Sequence, residues 1–449
     1  MSTSSSSGSE PASSIPPEAW EPLLGLARTV RRPLDAFLRI QAASGLVLLF
    51  AAAVALAWAN SPWAETYAVF WQTPLGVHLG PFAFERPLEW YVNDCLMAVF
   101  FFVVGLEIRC ELHHGELSEW RRAALPAAAA LGGMLVPAAL YLLFAGGAAT
   151  RSGWGVPMAT DIAFAVGVLT LLGKRVPVAL RVLLLALAVI DDLGAIVVIA
   201  LFYSSGVALS GLLLAALGLL WVLALQRFGV RTKLTYVAPA FVVWAGIYSA
   251  GVHPTIAGVI VGLLTPVRAW LGPLGFVASV RRDLDALPDA GLVRTLREVD
   301  RARREALSPA ESLIDKLHGW VAFGIMPIFA LANAGVSLTG ITLDTESWRV
   351  VFGVAVGLVV GKPIGVLLAI WVTLKLRIGA LPAGMQLRHL IVLGVVAGVG
   401  FTMAIFVAQL AFTEPRLLAA AKLGVLVASA CAAILGLALG RVLLKQEAP

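Results

Sequence analysis

The sequence predicts an all-α integral membrane protein of about twelve transmembrane helices, and three observations carry that prediction. Of its 449 residues, 59% are hydrophobic and 13% charged, with a mean hydropathy of +0.89, where an ordinary globular domain carries about 25% charged residues. A core cannot hide that much apolar surface, so the exterior faces lipid as well, which excludes a soluble enzyme, a secreted disulfide scaffold and a disordered chain. Apolar stretches near twenty residues long, enough to cross a roughly 30 Å hydrocarbon core, recur along the chain. Basic residues crowd into alternate connecting loops, as cytoplasmic loops do.

Taken in order, residues 1–35 open on a Ser- and Pro-rich stretch without a cationic start or an apolar run, so they read as a leader and interfacial segment rather than a signal peptide. The spans follow near 36–59, 88–108, 123–146, 155–173, 178–203, 207–225, 235–250, 252–267, 319–338, 350–374, 388–412 and 418–443, with only Gly251 dividing the seventh from the eighth. Residues 61–87 alternate aromatic and polar side chains around Gly and Pro, the pattern of an extracytoplasmic β-hairpin. Its free edge could pair with a second copy, so a homodimer is expected. Residues 268–317 form an enlarged cytoplasmic loop, where Leu284, Leu287, Leu292 and Leu296 mark the stripe of a solvated or membrane-surface helix. The transporter domain is thus 36–444, and 445–449 are a short tail.

One set of alternate loops holds Arg109, Arg121 and Arg122, then Lys174, Arg175 and Arg181, then Arg227, Arg231 and Lys233, then the run from Arg281 to Arg304, then Lys375, Arg377 and Arg388. The other set carries at most one basic residue per loop, at Arg86, Arg151, Arg349 and Arg416. An even number of spans then places both termini in the cytoplasm. The net charge of +6 follows this loop bias, and no basic stripe interleaved with stacking aromatics predicts nucleic-acid binding. Cys95, Cys110 and Cys431 show no metal or disulfide spacing and read as small buried residues.

An ionisable side chain at the bilayer centre costs roughly 2.5–3.5 kcal/mol, so each one kept there needs a reason. Asp94 and Glu107 lie in the second span, Asp161 in the fourth, Asp191 and Asp192 in the fifth and Lys362 in the tenth. Neighbours on a helix point about 100° apart, so one of Asp191 and Asp192 can face a partner while the other faces a cavity. Two carboxylates forced together in a low dielectric resist double ionisation and can trade a proton for a hard cation such as Na⁺ or Li⁺. Lys362, next to Pro363 and between Gly361 and Gly365, is placed to neutralise one aspartate. A pair that merely fixes packing is the weaker reading, because buried pairs add little stability.

The runs GWGVPMATDIAFAVG and GVVAGVGFTMAIFVAQ both break at Gly or Pro just before a Thr, Thr160 and Thr402. Two interrupted helices at corresponding places in two halves are expected, with Asp161 offsetting helix N-termini and Lys362 helix C-termini. The competing reading is that these glycines only allow close packing. His253 and His318 read first as loop or helix-end residues, with a titrating role second. A cation channel would need rings of charge or carbonyls, a symporter for organic solutes more aromatic and amide groups, and a membrane sensor an appended signalling domain.

The strings NDCLMAVFFFVVGLEIRCEL, ATDIAFAVGVLTLL, ALAVIDDLGAIVVIALFYS, VHPTIAGVIVGLLTP, FALANAGVSL, GKPIG and GVGFTMAIFVAQLAF, in order from about 36 to 443, resemble the NhaA-type sodium/proton antiporter family. Paired broken helices point to a midplane ion site, a rule for which that family is itself one of the type cases. The resemblance implies a cofactor-free transporter of the bacterial inner membrane, with inverted repeats, exporting Na⁺ or Li⁺ for a larger number of protons by alternating access. It implies Asp192 as principal cation and proton carboxylate and Asp191 as its partner linked to Lys362. Thr160, Asp161, Asp94 and Thr402 would support the site, and Glu107, Arg109 and Glu111, with His253 and His318, would set the pH response. Cys110, Ile314 and Asp315 depart from the family pattern, so the exchange chemistry carries over and the pH set-point does not.

Overall fold

Apolar runs without a polar face can satisfy their backbone groups in lipid only as helices, and helices are what these runs form. The computed structural model describes residues 43–80, 82–204, 206–230, 232–269, 272–285, 295–300, 306–337, 344–382 and 384–444. The leader expected at 1–35 and the tail at 445–449 lie outside the described residues.

The helices are α1 Ala43–Ala59, α2 Ala64–Gln72, α3 Met97–His114, α4 Trp120–Ala145, α5 Ile162–Leu171, α6 Val178–Phe202, α7 Leu209–Arg227, α8 Val237–Ser249 and α9 Thr255–Leu264. They continue as α10 Gly272–Asp285, α11 Pro309–Trp320, α12 Met326–Asn333, α13 Thr345–Val356, α14 Lys362–Lys375, α15 Leu387–Ala397, α16 Phe401–Ala411 and α17 Pro415–Leu443. All twelve stretches read from the sequence contain helix. Among the described residues six helical stretches, two of them carrying a π turn, are long and apolar enough to cross a membrane, and up to nine if each of three bent pairs is one span. The remainder are shortened by identifiable breaks, such as the Gly251–Pro254 turn between α8 and α9. Single π turns lie at Tyr91–Leu96 before α3, Val321–Ile325 between α11 and α12, and Gly357–Gly361 between α13 and α14.

Side chains such as Leu131, Leu135, Leu143, Leu217 and Leu220 project outward, each more than half exposed, which is the belt a bilayer would cover. Cys431 belongs to it. It is exposed rather than buried, since a thiol on a lipid-facing helix surface carries no burial penalty. The hairpin spans less of 61–87 than expected: β1 Pro74–Leu79 pairs antiparallel with β2 Phe82–Pro87, Leu79 opposite Phe82. Residues 64–72 are helix α2, because Tyr67 and Trp71, four apart, bury one helical face. Of the stripe expected in 268–317, Leu296 is 58% exposed, and Leu287 and Leu292 lie outside the described residues.

Close helix approach positions the interior. A Cβ on Gly365 of α14 would lie 2.1 Å from the carbonyl oxygen of Gly132 on α4, so only glycine lets these backbones touch. That contact fixes the first turn of α14, which begins at Lys362.

Candidate cation site at the crossing of two broken helices

The fourth and eleventh spans each lose helical pairing partway along their length. A 3₁₀ segment, Arg151–Met158, stops before α5, and the two are bent by 42°; α15 stops before α16 with a bend of 45°. The breaks cross in direct contact, with the backbone N–H of Asp161 donating to Val399 O at 2.8 Å. Each break leaves N–H groups at one helix start and carbonyls at one helix end without intrahelical partners.

Charged and hydroxyl side chains answer both sets. Asp161 caps α5 by accepting the Phe164 N–H at 3.0 Å, and its other oxygen accepts the Thr402 N–H at 3.1 Å and the Thr402 hydroxyl. One carboxylate thus meets the positive ends of two helices. On the carbonyl side, Lys362 Nζ donates to Met158 O, and the Thr160 hydroxyl lies 3.1 Å from Ala397 O. Lys362 also donates to Asp191 Oδ2 at 2.7 Å, with both side chains wholly buried, and the Thr160 hydroxyl donates to the same oxygen at 2.6 Å.

Asp191 and Asp192 therefore differ as adjacent helix positions should. Asp191 Oδ2 is engaged twice, and its Oδ1 is buried without a partner among the described residues. Asp192 is 3% exposed, and its side chain makes no hydrogen bond among the described residues. It lines a cavity of about 410 Å³ together with Asp161, Met403, Val321 and Met326, and Glu107, Glu111 and His318 line the same cavity. A buried carboxylate that lines a cavity and makes no side-chain bond is chemically free to hold either a proton or a cation.

The structure gathers Thr160, Asp161, Asp191, Asp192, Lys362 and Thr402 into one cluster. Glu107 stands 3.5 Å from His318 Nδ1 in the cavity wall, with Cys110 and Ile314, two departures from the family pattern, lining the same wall. Asp94 and His253 do not join the central cluster. They face each other at 3.6 Å toward the hairpin end of the bundle, so the two histidines grouped in the sequence lie apart. Arg109 is absent from the cavity lining, and its Nε is buried without a partner among the described residues. The carbonyls of Met158, Ala397 and Val399 carry no side-chain signal and could not be read from sequence. Three amides could have been: Asn93, Asn333 and Gln409 sit inside apolar runs, where polar groups are costly.

Intramembrane charges around irregular backbone that lines a cavity mark an ion pathway, and the class this fold defines is a multi-pass membrane transporter, not an enzyme. Residues 35–439 match the family described as Na+/H+ antiporter 1, and the chain belongs to it. Among similar curated proteins, Na(+)/H(+) antiporter NhaA 2 of Myxococcus xanthus is 67% identical over 456 residues, covering 100% of this chain and 96% of its own length. Its namesake in Sorangium cellulosum is 55% identical, covering 98% and 96%, and Na(+)/H(+) antiporter NhaA of a Janthinobacterium species is 48% identical, covering 94% and 96%. The solved sodium proton antiporter MjNhaP1 of Methanocaldococcus jannaschii overlaps 90% of this chain and 92% of its own at 14% identity and a TM-score of 0.45.

Proposed function

We propose that this Na⁺/H⁺ antiporter is electrogenic, accepts Li⁺ as well as Na⁺, and works by alternating access with Asp192 as the exchange carboxylate. One observation carries the reading: of two adjacent buried aspartates, Asp191 is engaged by Lys362 and Thr160, while the Asp192 side chain makes no hydrogen bond among the described residues and lines the cavity. Asp192 exchanges a proton for the cation, and hard oxygen ligands suit Na⁺ or Li⁺. Deprotonation opens the site to the cation, and cation binding closes it. A second proton travels on the Asp191–Lys362 pair, so one net charge moves per cycle, worth about 2.3 kcal/mol per 100 mV of membrane potential.

In this reading Asp161, Thr160 and Thr402 hold the crossing in register, and residues 36–444 act as the transport unit in the bacterial inner membrane. The basic loops face the cytoplasm with both termini, so the cavity bearing Glu107 and His318 opens inward and the hairpin lies outside. Glu107, Glu111 and His318 at the cavity wall, with Arg109 and His253 outside its lining, tune activity with pH. The hairpin edge pairs two copies into a dimer, and the activity serves sodium and pH homeostasis.

The test uses protein in sealed liposomes with a trapped pH dye, with Na⁺, Li⁺ or K⁺ added outside and Asp192→Asn in parallel. Lumenal alkalinisation by Na⁺ and Li⁺, faster when a potential of the right sign is imposed and absent in the variant, is the expected result. Exchange insensitive to potential removes electrogenicity, and near-normal exchange by the variant removes Asp192 from its role.

A further inference from the structure

The helices that line the cavity meet again at the hairpin end of the bundle, and there they meet through amides. Asn93 lies in the π turn before α3, Asn333 ends α12, and Gln409 stands on α16. Asn333 is fully buried; its Nδ2 donates to Asn93 Oδ1 at 2.8 Å and to Phe329 O at 3.0 Å. Its Oδ1 accepts from Asn93 Nδ2 at 3.4 Å and from Gln409 Nε2. Gln409 Oε1 is buried and bonded to nothing among the described residues. Burying three carboxamides in apolar helices is costly, and leaving an oxygen bare adds to the cost.

This cluster is in line with the ion site. Thr402, Phe406 and Gln409 fall at i, i+4 and i+7 of α16, on one face, with Thr402 touching Asp161. At 1.5 Å per residue, Gln409 stands about 10 Å further toward the hairpin. Between them Phe406 packs against Phe101, Phe329 and the His253 ring, with centroids 5.5, 6.1 and 5.3 Å away. One helix face therefore runs from the buried acids, past an aromatic closure, to a bare carboxamide oxygen.

We propose that Asn93, Asn333 and Gln409 form a second cation site on the hairpin side of the Phe406 closure, where a monovalent hard cation is held by carboxamide oxygens on its way out. The proposal rests on the reading of Asp192 as the exchange carboxylate. Gln409 Oε1 is the ligand already available, and the oxygens of Asn93 and Asn333 join it when their reciprocal bond opens. Neutral oxygens suit a waypoint, because transport needs a site weak enough to leave.

Right-side-out and everted membrane vesicles present Na⁺ to opposite faces of wild type, Gln409→Leu, Gln409→Glu and Asp192→Asn. For Gln409→Leu the apparent KM for Na⁺ should rise about five-fold from the hairpin face, the equivalent of about 1 kcal/mol, with the KM from the other face unchanged. Gln409→Glu, which keeps an oxygen there and adds charge, should lower the hairpin-face KM, and it carries the test alone if the leucine variant does not assemble. Equal shifts at both faces, the mark of a purely structural role, or an unchanged hairpin-face KM in Gln409→Glu, would overturn the site. Exchange by Asp192→Asn in the same vesicles would instead overturn the reading of the exchange carboxylate, so the two failures are distinct.

Discussion

Replacing Lys362 by Met should destabilise the protein strongly, and replacing Asp191 by Asn as well should restore much of the loss. The ammonium donates to Asp191 Oδ2 at 2.7 Å and to Met158 O in a site with both side chains at 0% exposure. Removing one member of a buried pair costs about 3–5 kcal/mol, because the other charge stays behind without compensation. The orphaned Met158 carbonyl adds about 1–3 kcal/mol. Against this, Asp191 adjoins Asp192, which lines the cavity, and a proton taken up by Asp191 relieves part of the cost, so a loss of about 3–5 kcal/mol is expected in all. In the double variant no charge is stranded, and the Thr160 hydroxyl still finds an amide oxygen, so about 2 kcal/mol should return as coupling between the two sites. Unfolding of detergent-solubilised wild type, both single variants and the double variant at fixed pH measures the cycle. Losses that add within about 0.5 kcal/mol would refute the reasoning, since that is the scatter of independent sites.

Three further outcomes follow from the same geometry. Asp161→Ala strips acceptors from two helix N-termini and a hydroxyl and should cost about 2–6 kcal/mol, with Asp161→Asn losing about half as much, both read from thermal unfolding in detergent. Gly365→Ala forces α4 and α14 apart at the Gly132 carbonyl, should cost about 1–3 kcal/mol, and should lower sodium-driven proton flux by displacing Lys362; a variant as stable and active as wild type would contradict the contact. Asp344, outside the spans, accepts the Ser347 N–H at 3.0 Å, and this bond, helped by Arg416, holds its carboxyl below the usual carboxylate range. The folded state thus prefers the charged form, so its contribution is fully present above about pH 4 and lost as pH falls through the lowered value. Melting temperature should therefore drop more steeply with acid in wild type than in Asp344→Ala.

The bundle was legible because lipid imposes one rule on every segment: a run of about twenty apolar residues forms helix. The two breaks were legible for a related reason, since Gly weakens a helix and Pro removes a donor ahead of Thr160 and Thr402, and a lone Asp or Lys beside each break has to answer a helix end. Residues 64–72 were not legible as helix, because Trp63, Tyr67, Phe70 and Trp71 are compatible with both a strand and a helix period until a partner surface selects one. The division of labour between Asp191 and Asp192 is a matter of rotation about the helix axis, which depends on where α6 meets Lys362 and Thr160. Backbone carbonyls that complete the site have no residue identity to read. Asp94 and His253 were visible as polar side chains, but their separation from the central cluster is a property of depth along the bundle, which spacing alone does not give.

Proton release on adding Na⁺ to weakly buffered, detergent-solubilised protein, followed with a pH indicator, tests most directly the claim that one carboxylate exchanges proton for cation. Wild type should release protons on adding Na⁺ or Li⁺ and none on adding K⁺, while folded Asp192→Asn should release none. Release by Asp192→Asn equal to that of wild type would contradict the account and move the exchange to another group.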